Sequence, residues 1–167
     1  AMAAGRAGAG VINVAVPRGA MSAIVTLVPE AAFIPLPESE LGTSDRVREA
    51  LTEKLEKSKA AVVGPGLGED DYADALMRLL FGQRSQRRVG GLGFRKMTEA
   101  PAAPENAVEP LIGGGLPAVI DADGLNWLAK QDDWWTLARP GSLVLTPHVG
   151  EMSRLSGQPA DEILADP

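Results

Sequence analysis

Apolar positions along the chain fall into two alternating patterns. Continuous runs rich in valine and isoleucine appear as VINVAV (Val11 to Val16), AAVVG (Ala60 to Gly64), PAVID (Pro117 to Asp121) and SLVLT (Ser142 to Thr146). Such runs are apolar on consecutive residues rather than alternate ones, and they predict strands covered on both faces, the habit of a parallel sheet. AAFIPL, which begins at Ala31, is a weaker fifth strand in which Pro35 points to an edge or an end. Between the runs the period changes. Ser44 caps a predicted helix through Lys57, with Val47, Leu51 and Leu55 on one stripe beside Ala50 and charges on the opposite face. A second helix is predicted from about Asp71 to Phe81, where Ala73, Leu76, Met77 and Leu80 follow helical spacing and Asp70 or Asp71 supplies the cap. Shorter helical turns fit Leu125 to Lys130, Trp134 to Ala138 and Val149 to Leu155. Alternation of strand and helix predicts an α/β fold with a mostly parallel central sheet, helices on both faces and right-handed crossovers.

One segment has no sustained period. From Gly82 to Leu116 there are seven glycines, three prolines and a basic cluster of Arg84, Arg87, Arg88, Arg95 and Lys96, which reads as a long loop insertion at about 82–116, either a tolerated surface insertion or a lid or partner-binding arm. AMAAGRAGAG at the start reads as the tail of a helix, and QPADEILADP near the end as a capped helix just beginning. The expectation is one partial domain over residues 1–167.

Composition narrows the function classes. A net charge of -6 argues against a nucleic-acid or anionic-membrane partner. The absence of cysteine removes disulfides, thiolate metal sites and a cysteine nucleophile, and fits a reducing cytoplasm. No apolar run reaches the roughly 20 residues of a membrane helix, and the N-terminus lacks the layout of a signal peptide.

Three polar loops each begin at the C-terminal end of an apolar run, and in a parallel sheet those ends share the edge where ligands bind. In VVGPGLGEDD, Gly64, Gly66 and Gly68 allow a sharp turn and a close backbone approach. The loop reads as an anion cradle or as a plain strand-to-helix turn, and Glu69, Asp70 and Asp71 disfavour a bare phosphate. In VIDADGLN, Asp121 and Asp123 sit two apart. They could hold magnesium through water or share a proton, but Asp123 as a helix cap is the commoner use, with Asn126 one turn on to bridge the loop. In VLTPHVGE, His148 is the one histidine of the chain. Its candidate uses are ligand contact, proton transfer, or a hydrogen bond to the loop backbone, with Glu151 turning inward beside it. One histidine and no cysteine argue against a metal site, and no G-x-S-x-G serine elbow is present.

Taken in order, VVGPGLGEDD, AVIDADGLNWLA and LVLTPHVGEMSRLSG resemble the ADP- or ATP-dependent NAD(P)H-hydrate dehydratase family, a branch of the ribokinase-like superfamily, and AGRAGAGVINVAVP resembles its entry from helix to strand. The resemblance covers nearly all of residues 1–81 and 117–167. It implies a ribokinase-like fold and a cytoplasmic homo-oligomer, with a tetramer as the candidate form. The implied reaction is repair of hydrated NADH or NADPH, with ADP or ATP and Mg2+ turning the hydroxyl into a phosphate ester that then departs. It further implies that the dinucleotide meets Gly66, Gly68, Asp123, Asn126, His148, Gly150, Glu151 and Arg154. The family's catalytic base belongs to a Gly-Thr-Gly-Asp-type motif expected beyond Pro167, and its nucleotide loop is expected there too, so no catalytic residue is assigned. The usual Pro-Gly after the histidine is Val149-Gly150 here. A ribokinase-like kinase of a vitamin-precursor alcohol and a non-catalytic nucleotide-binding module are the competing readings.

Overall fold

The computed structural model describes residues 1–37, 45–83 and 109–165. Its elements are α1 (Met2–Arg6), β1 (Asn13–Pro17), α2 (Arg18–Leu27), β2 (Ala32–Leu36), α3 (Asp45–Leu55), β3 (Ala61–Val63), α4 (Asp71–Leu80), β4 (Ala118–Ile120), α5 (Asp123–Leu128), a 3-10 turn (Trp134–Leu137), β5 (Leu143–Leu145), α6 (Val149–Ser156) and α7 (Ala160–Ala165). All strand pairs are parallel, as the continuous apolar runs predict. Two differences from expectation concern the first strand and its crossover. Val11 lies outside β1 and is 79% exposed, and α2 occupies a stretch in which the helical pattern is weak. Gly19 and three β-branched residues dilute its periodicity, yet Pro17 precedes its first turn with φ at -56°, a geometry proline favours.

The ladder divides in two among the described residues, β1 with β2, and β3-β4-β5 in that order. In the second sheet Ala61, Val63, Ala118, Ile120, Leu143 and Leu145 face the core, where they meet Leu76, Met77, Leu80, Leu125 and Leu128. The alternate row is different. Val62, Val119 and Val144 stand in register across the three strands, with Val62 at 69% and Val144 at 59% exposure. The expected α/β arrangement of parallel strands flanked by helices is present, and among the described residues it is the core face of β3 to β5 that the helices pack against. Strands added one after another in the same direction by right-handed crossovers place their connecting helices on the same side, in keeping with α4 and α5 sharing this face.

Two other expectations meet limits. The Ser44 cap and residues 84–108 of the insertion, with its basic cluster, lie outside the described residues. The end of that insertion carries no helix or strand but packs against the core: Ile112 is fully buried, and the amides of Leu111 and Ile112 both donate to the Leu80 carbonyl.

Strand-to-helix turns at the C-terminal edge are tightly packed. Gly64 has φ +123°, and a Cβ there would lie 1.8 Å from the Asp121 carbonyl oxygen. Gly124 is confined less severely, its Cβ meeting Ile120 Cγ2 at 2.9 Å and the Val63 carbonyl at 3.1 Å. Ala122, between them, holds φ 48° and ψ -121°, a region that costs a non-glycine residue about 1–3 kcal/mol. Gly64→Ala is expected to lower unfolding free energy by about 4 kcal/mol or to prevent folding, whereas Ala122→Gly is expected to raise it by about 1 kcal/mol through relief of strain; urea denaturation of the two variants checks both signs.

Candidate active site

The first loop folds as a turn closed by the Leu67 amide on the Gly64 carbonyl at 2.9 Å, with Gly66 at φ +72° in the third position, where a type II turn requires glycine. A Cβ at Gly66 or Gly68 would meet nothing within 4 Å. These two glycines border open space, while the close approach anticipated for the loop as a whole belongs to Gly64 and is made to protein backbone. The Gly68 amide donates to Asp123 Oδ2 at 2.8 Å. A carboxylate of the chain itself thus takes the amide that would otherwise be offered to an anion.

That bond also corrects the capping role expected for Asp123. The residue before α5 is Ala122, which makes no side-chain cap, and Asp123 sits inside the first turn, where its negative charge suits the helix end. Its side chain joins the first loop to the second instead. Asp121 turns back locally, its Oδ1 accepting from the Ala122 amide at 2.9 Å. At α4 the capping expectation holds: Asp70 Oδ1 accepts from the Ala73 amide at 2.9 Å.

Asn126, on α5, links the first loop to α6. Its Nδ2 donates to Glu69 Oε1 at 3.3 Å, and its Oδ1 accepts from Arg154 Nε at 3.0 Å. Glu69 Oε2 accepts from Lys130 Nζ at 2.6 Å. The Lys130 hydrogen bond and charge, with a further contribution from the Arg154 charge, hold the Glu69 carboxyl below its ordinary value.

His148 is the N-cap of α6. Its Nδ1 accepts from the Gly150 and Glu151 amides at 3.0 and 3.3 Å, while Glu151 Oε2 accepts from the His148 amide at 2.9 Å. This is a reciprocal capping box with histidine in the place usually held by serine or threonine. Acceptance at Nδ1 assigns the ring proton to Nε2, which lies 3.5 Å from Glu151 Oε1. Glu151 is buried at 7% exposure, whereas the His148 side chain is 69% exposed. The backbone hydrogen bond weighed from sequence is present, and the outer edge of the ring still faces solvent. A Cβ added at Gly150 would lie 3.0 Å from His148 Cε1 and 3.7 Å from Arg154 Nη1, so ring and guanidinium flank the same glycine.

A cleft of about 310 Å³ opens beside these loops, against α4 and α5, lined by Glu69, Asp70, Asp74, Arg78, Trp127 and Lys130 among others. Gly66, His148 and Arg154 do not line it. Carboxylates outnumber cations along its wall, so a phosphate is better served on the His148 side, where Arg154 stands. Asp74 accepts from Arg78 Nε and from Trp127 Nε1, each at 2.8 Å. Burial pushes the Asp74 carboxyl up, but the Arg78 and Trp127 hydrogen bonds together with the Arg78 charge outweigh it and leave the group below its ordinary 3.8. Sequence reading missed Glu69 as a bridge, Lys130, and the Asp74–Trp127 pair. Only Lys130, one turn after Asn126 on the same helical stretch, carried a signal.

Among the described residues no group of three or more histidine, aspartate or glutamate side chains is arranged to hold a metal ion. Asp121 and Asp123 bond to backbone amides, and no metal-dependent step is assigned to these residues.

The family described as NAD(P)H-hydrate dehydratase matches residues 1–165. The bifunctional NAD(P)H-hydrate repair enzyme Nnr of Moorella thermoacetica is 34% identical over 167 residues, 99% of this chain and 26% of its own length. A ribokinase-like superfamily protein of Enterococcus faecalis superposes with TM-score 0.61 at 19% identity, over 95% of this chain and 42% of that one. The ADP/ATP-dependent NAD(P)H-hydrate dehydratase of Bacillus subtilis, crystallised with ATP and Mg2+, superposes with TM-score 0.53 at 18% identity, over 98% and 44%. These likenesses establish the ribokinase-like α/β fold. The chain spans about a quarter of the length of the Moorella relative.

A folded-state value lowered for Asp74 means stabilisation that is complete above the unfolded value near 3.8 and lost as pH falls through the lower folded one. The stability gap between the protein and Asp74→Asn is expected to stay constant from neutral pH down to about 5 and to close below about 4, its size kept under about 1 kcal/mol by solvent screening; thermal melts across that range check it.

Proposed function

The chain belongs to the NAD(P)H-hydrate dehydratase family, and on that premise we propose that it binds the hydrated dinucleotide in a nucleotide-driven dehydration that restores NADH or NADPH. What supports this reading most is that the loop after β3 and the helices that follow β4 and β5 are tied together at one sheet edge, through Gly68 to Asp123 and through Asn126 to Arg154. An edge assembled in this way is where open α/β sheets receive ligands.

In this reading Gly66 and Gly68 offer flat, unobstructed backbone to the substrate, and the His148 Nε2–H edge donates to a polar group on it. Glu151, Asp123 and Asn126 hold the loops that carry those contacts, and Gly150 keeps the space between His148 and Arg154 clear. ADP or ATP with Mg2+ would supply the phosphoryl group that makes the substrate hydroxyl a leaving group. Departure of phosphate from one ring carbon and of a proton from its neighbour then leaves the double bond of the reduced nicotinamide. The residues described here hold substrate; the base expected for the proton is not among them. The same reading places the enzyme in the cytoplasm as a homo-oligomer.

Mixing the protein that carries this chain with hydrated NADH or NADPH, ADP or ATP and Mg2+ is expected to restore the absorbance of reduced nicotinamide. No recovery with either nucleotide, or phosphorylation of an alcohol with the hydrate untouched, overturns the reading. His148→Ala removes both ring and cap, at a cost of about 1 kcal/mol in stability; His148→Asn keeps a good cap. Both variants are expected to raise KM for the hydrate about tenfold while changing kcat less than about twofold, and a large loss of kcat at unchanged KM in His148→Asn would make the ring a proton carrier instead.

A further inference from the structure

We infer that Glu69, Asn126 and Lys130 are positioning residues that aim the Arg154 guanidinium at a phosphate group of the dinucleotide. This rests on the substrate reading above. The argument begins with Asn126, whose amide can satisfy its neighbours in one orientation only: Nδ2 toward the Glu69 carboxylate at 3.3 Å and Oδ1 toward Arg154 Nε at 3.0 Å. Reversed, it would set an oxygen against a carboxylate and an NH2 against a guanidinium. Asn126 therefore links an anion on the first loop to a cation on α6 while keeping the two apart.

Binding through Nε has a geometric consequence. The guanidinium plane is held by its inner nitrogen, and the outer Nη pair is left as a fork suited to bidentate recognition of phosphate. Nη1 lies 3.7 Å, and His148 Cε1 3.0 Å, from the point a Gly150 Cβ would occupy, so fork and imidazole share a floor of backbone. Lys130 has an electrostatic part. Its ammonium, 2.6 Å from Glu69 Oε2, balances the Glu69 charge that would otherwise cancel the attraction of Arg154 for an anion. Stability does not account for the arrangement, because Lys130 and Glu69 are 57% and 51% exposed and pairs so open to water contribute little. Its effect is to fix direction and charge at the junction of the loops.

The test is equilibrium binding of two probes by calorimetry: hydrated NADPH, and hydrated dihydronicotinamide riboside, which has the ring but no phosphate. Arg154→Ala and Asn126→Leu are each expected to raise Kd for hydrated NADPH about tenfold, as for loss of one charge-assisted contact. The double variant is expected to be no weaker than Arg154→Ala, because Asn126 acts through Arg154. Lys130→Met is expected to weaken binding and Lys130→Arg to restore it, with the riboside bound equally by the Arg154 and Lys130 variants. Equal weakening of both probes, additive effects in the double variant, or unchanged binding of hydrated NADPH by Arg154→Ala overturns the relay. Failure of the unsubstituted protein to bind either hydrated probe instead overturns the functional reading on which the relay rests.

Discussion

The candidate site hangs on a contact between two pieces of backbone. Gly64 passes so close to the Asp121 carbonyl that a Cβ would penetrate the oxygen at 1.8 Å, and Gly124 closes the same junction from the other side. Because the first loop is pinned across the second at this point, the Gly68 amide falls within reach of Asp123, and Glu69 within reach of Asn126 and Lys130. Separate Gly64 from Asp121 by even a methyl group and these bonds lose their geometry together. The unfavourable backbone at Ala122 belongs to the same junction, since strain of this kind persists only where surrounding contacts over-determine it.

At the third loop a single side chain serves structure and leaves room for chemistry. Nδ1 of His148 closes the first turn of α6 and the buried Glu151 fastens the other half of the box, so ring orientation is fixed by local hydrogen bonds rather than by packing. The outer edge of the imidazole then points into solvent beside Gly150 and Arg154. A histidine fixed in this way presents a pre-oriented donor at small entropic cost on binding.

Charge divides the surface around these loops. The cleft against α4 and α5 carries Asp70, Asp71 and Asp74 along with Glu69 and Asp123, while the His148 side presents Arg154. A phosphate-bearing ligand would be repelled by the first and attracted by the second, so the proposed phosphate contact falls to the third loop and its helix rather than to the glycine-rich loop with its three carboxylates.

The periodic signals were carried by the sequence alone. Parallel strands, the stripe of α4 with its Asp70 cap, the three polar loops and their common edge follow from residue spacing, because strand direction and helix phase are set by which neighbours are apolar. α2 escaped that reading since Gly19 and its β-branched residues blur the period. Tertiary structure decided what spacing cannot express. Whether Asp123 caps α5 or reaches Gly68, and whether glycine makes room for ligand or for a carbonyl, depend on contacts between segments far apart in the chain. Asp123 and Gly68, or Glu69 and Lys130, acquire their roles only when two helices and three strands have packed, for a hydrogen bond between residues more than fifty positions apart leaves no periodic trace in either.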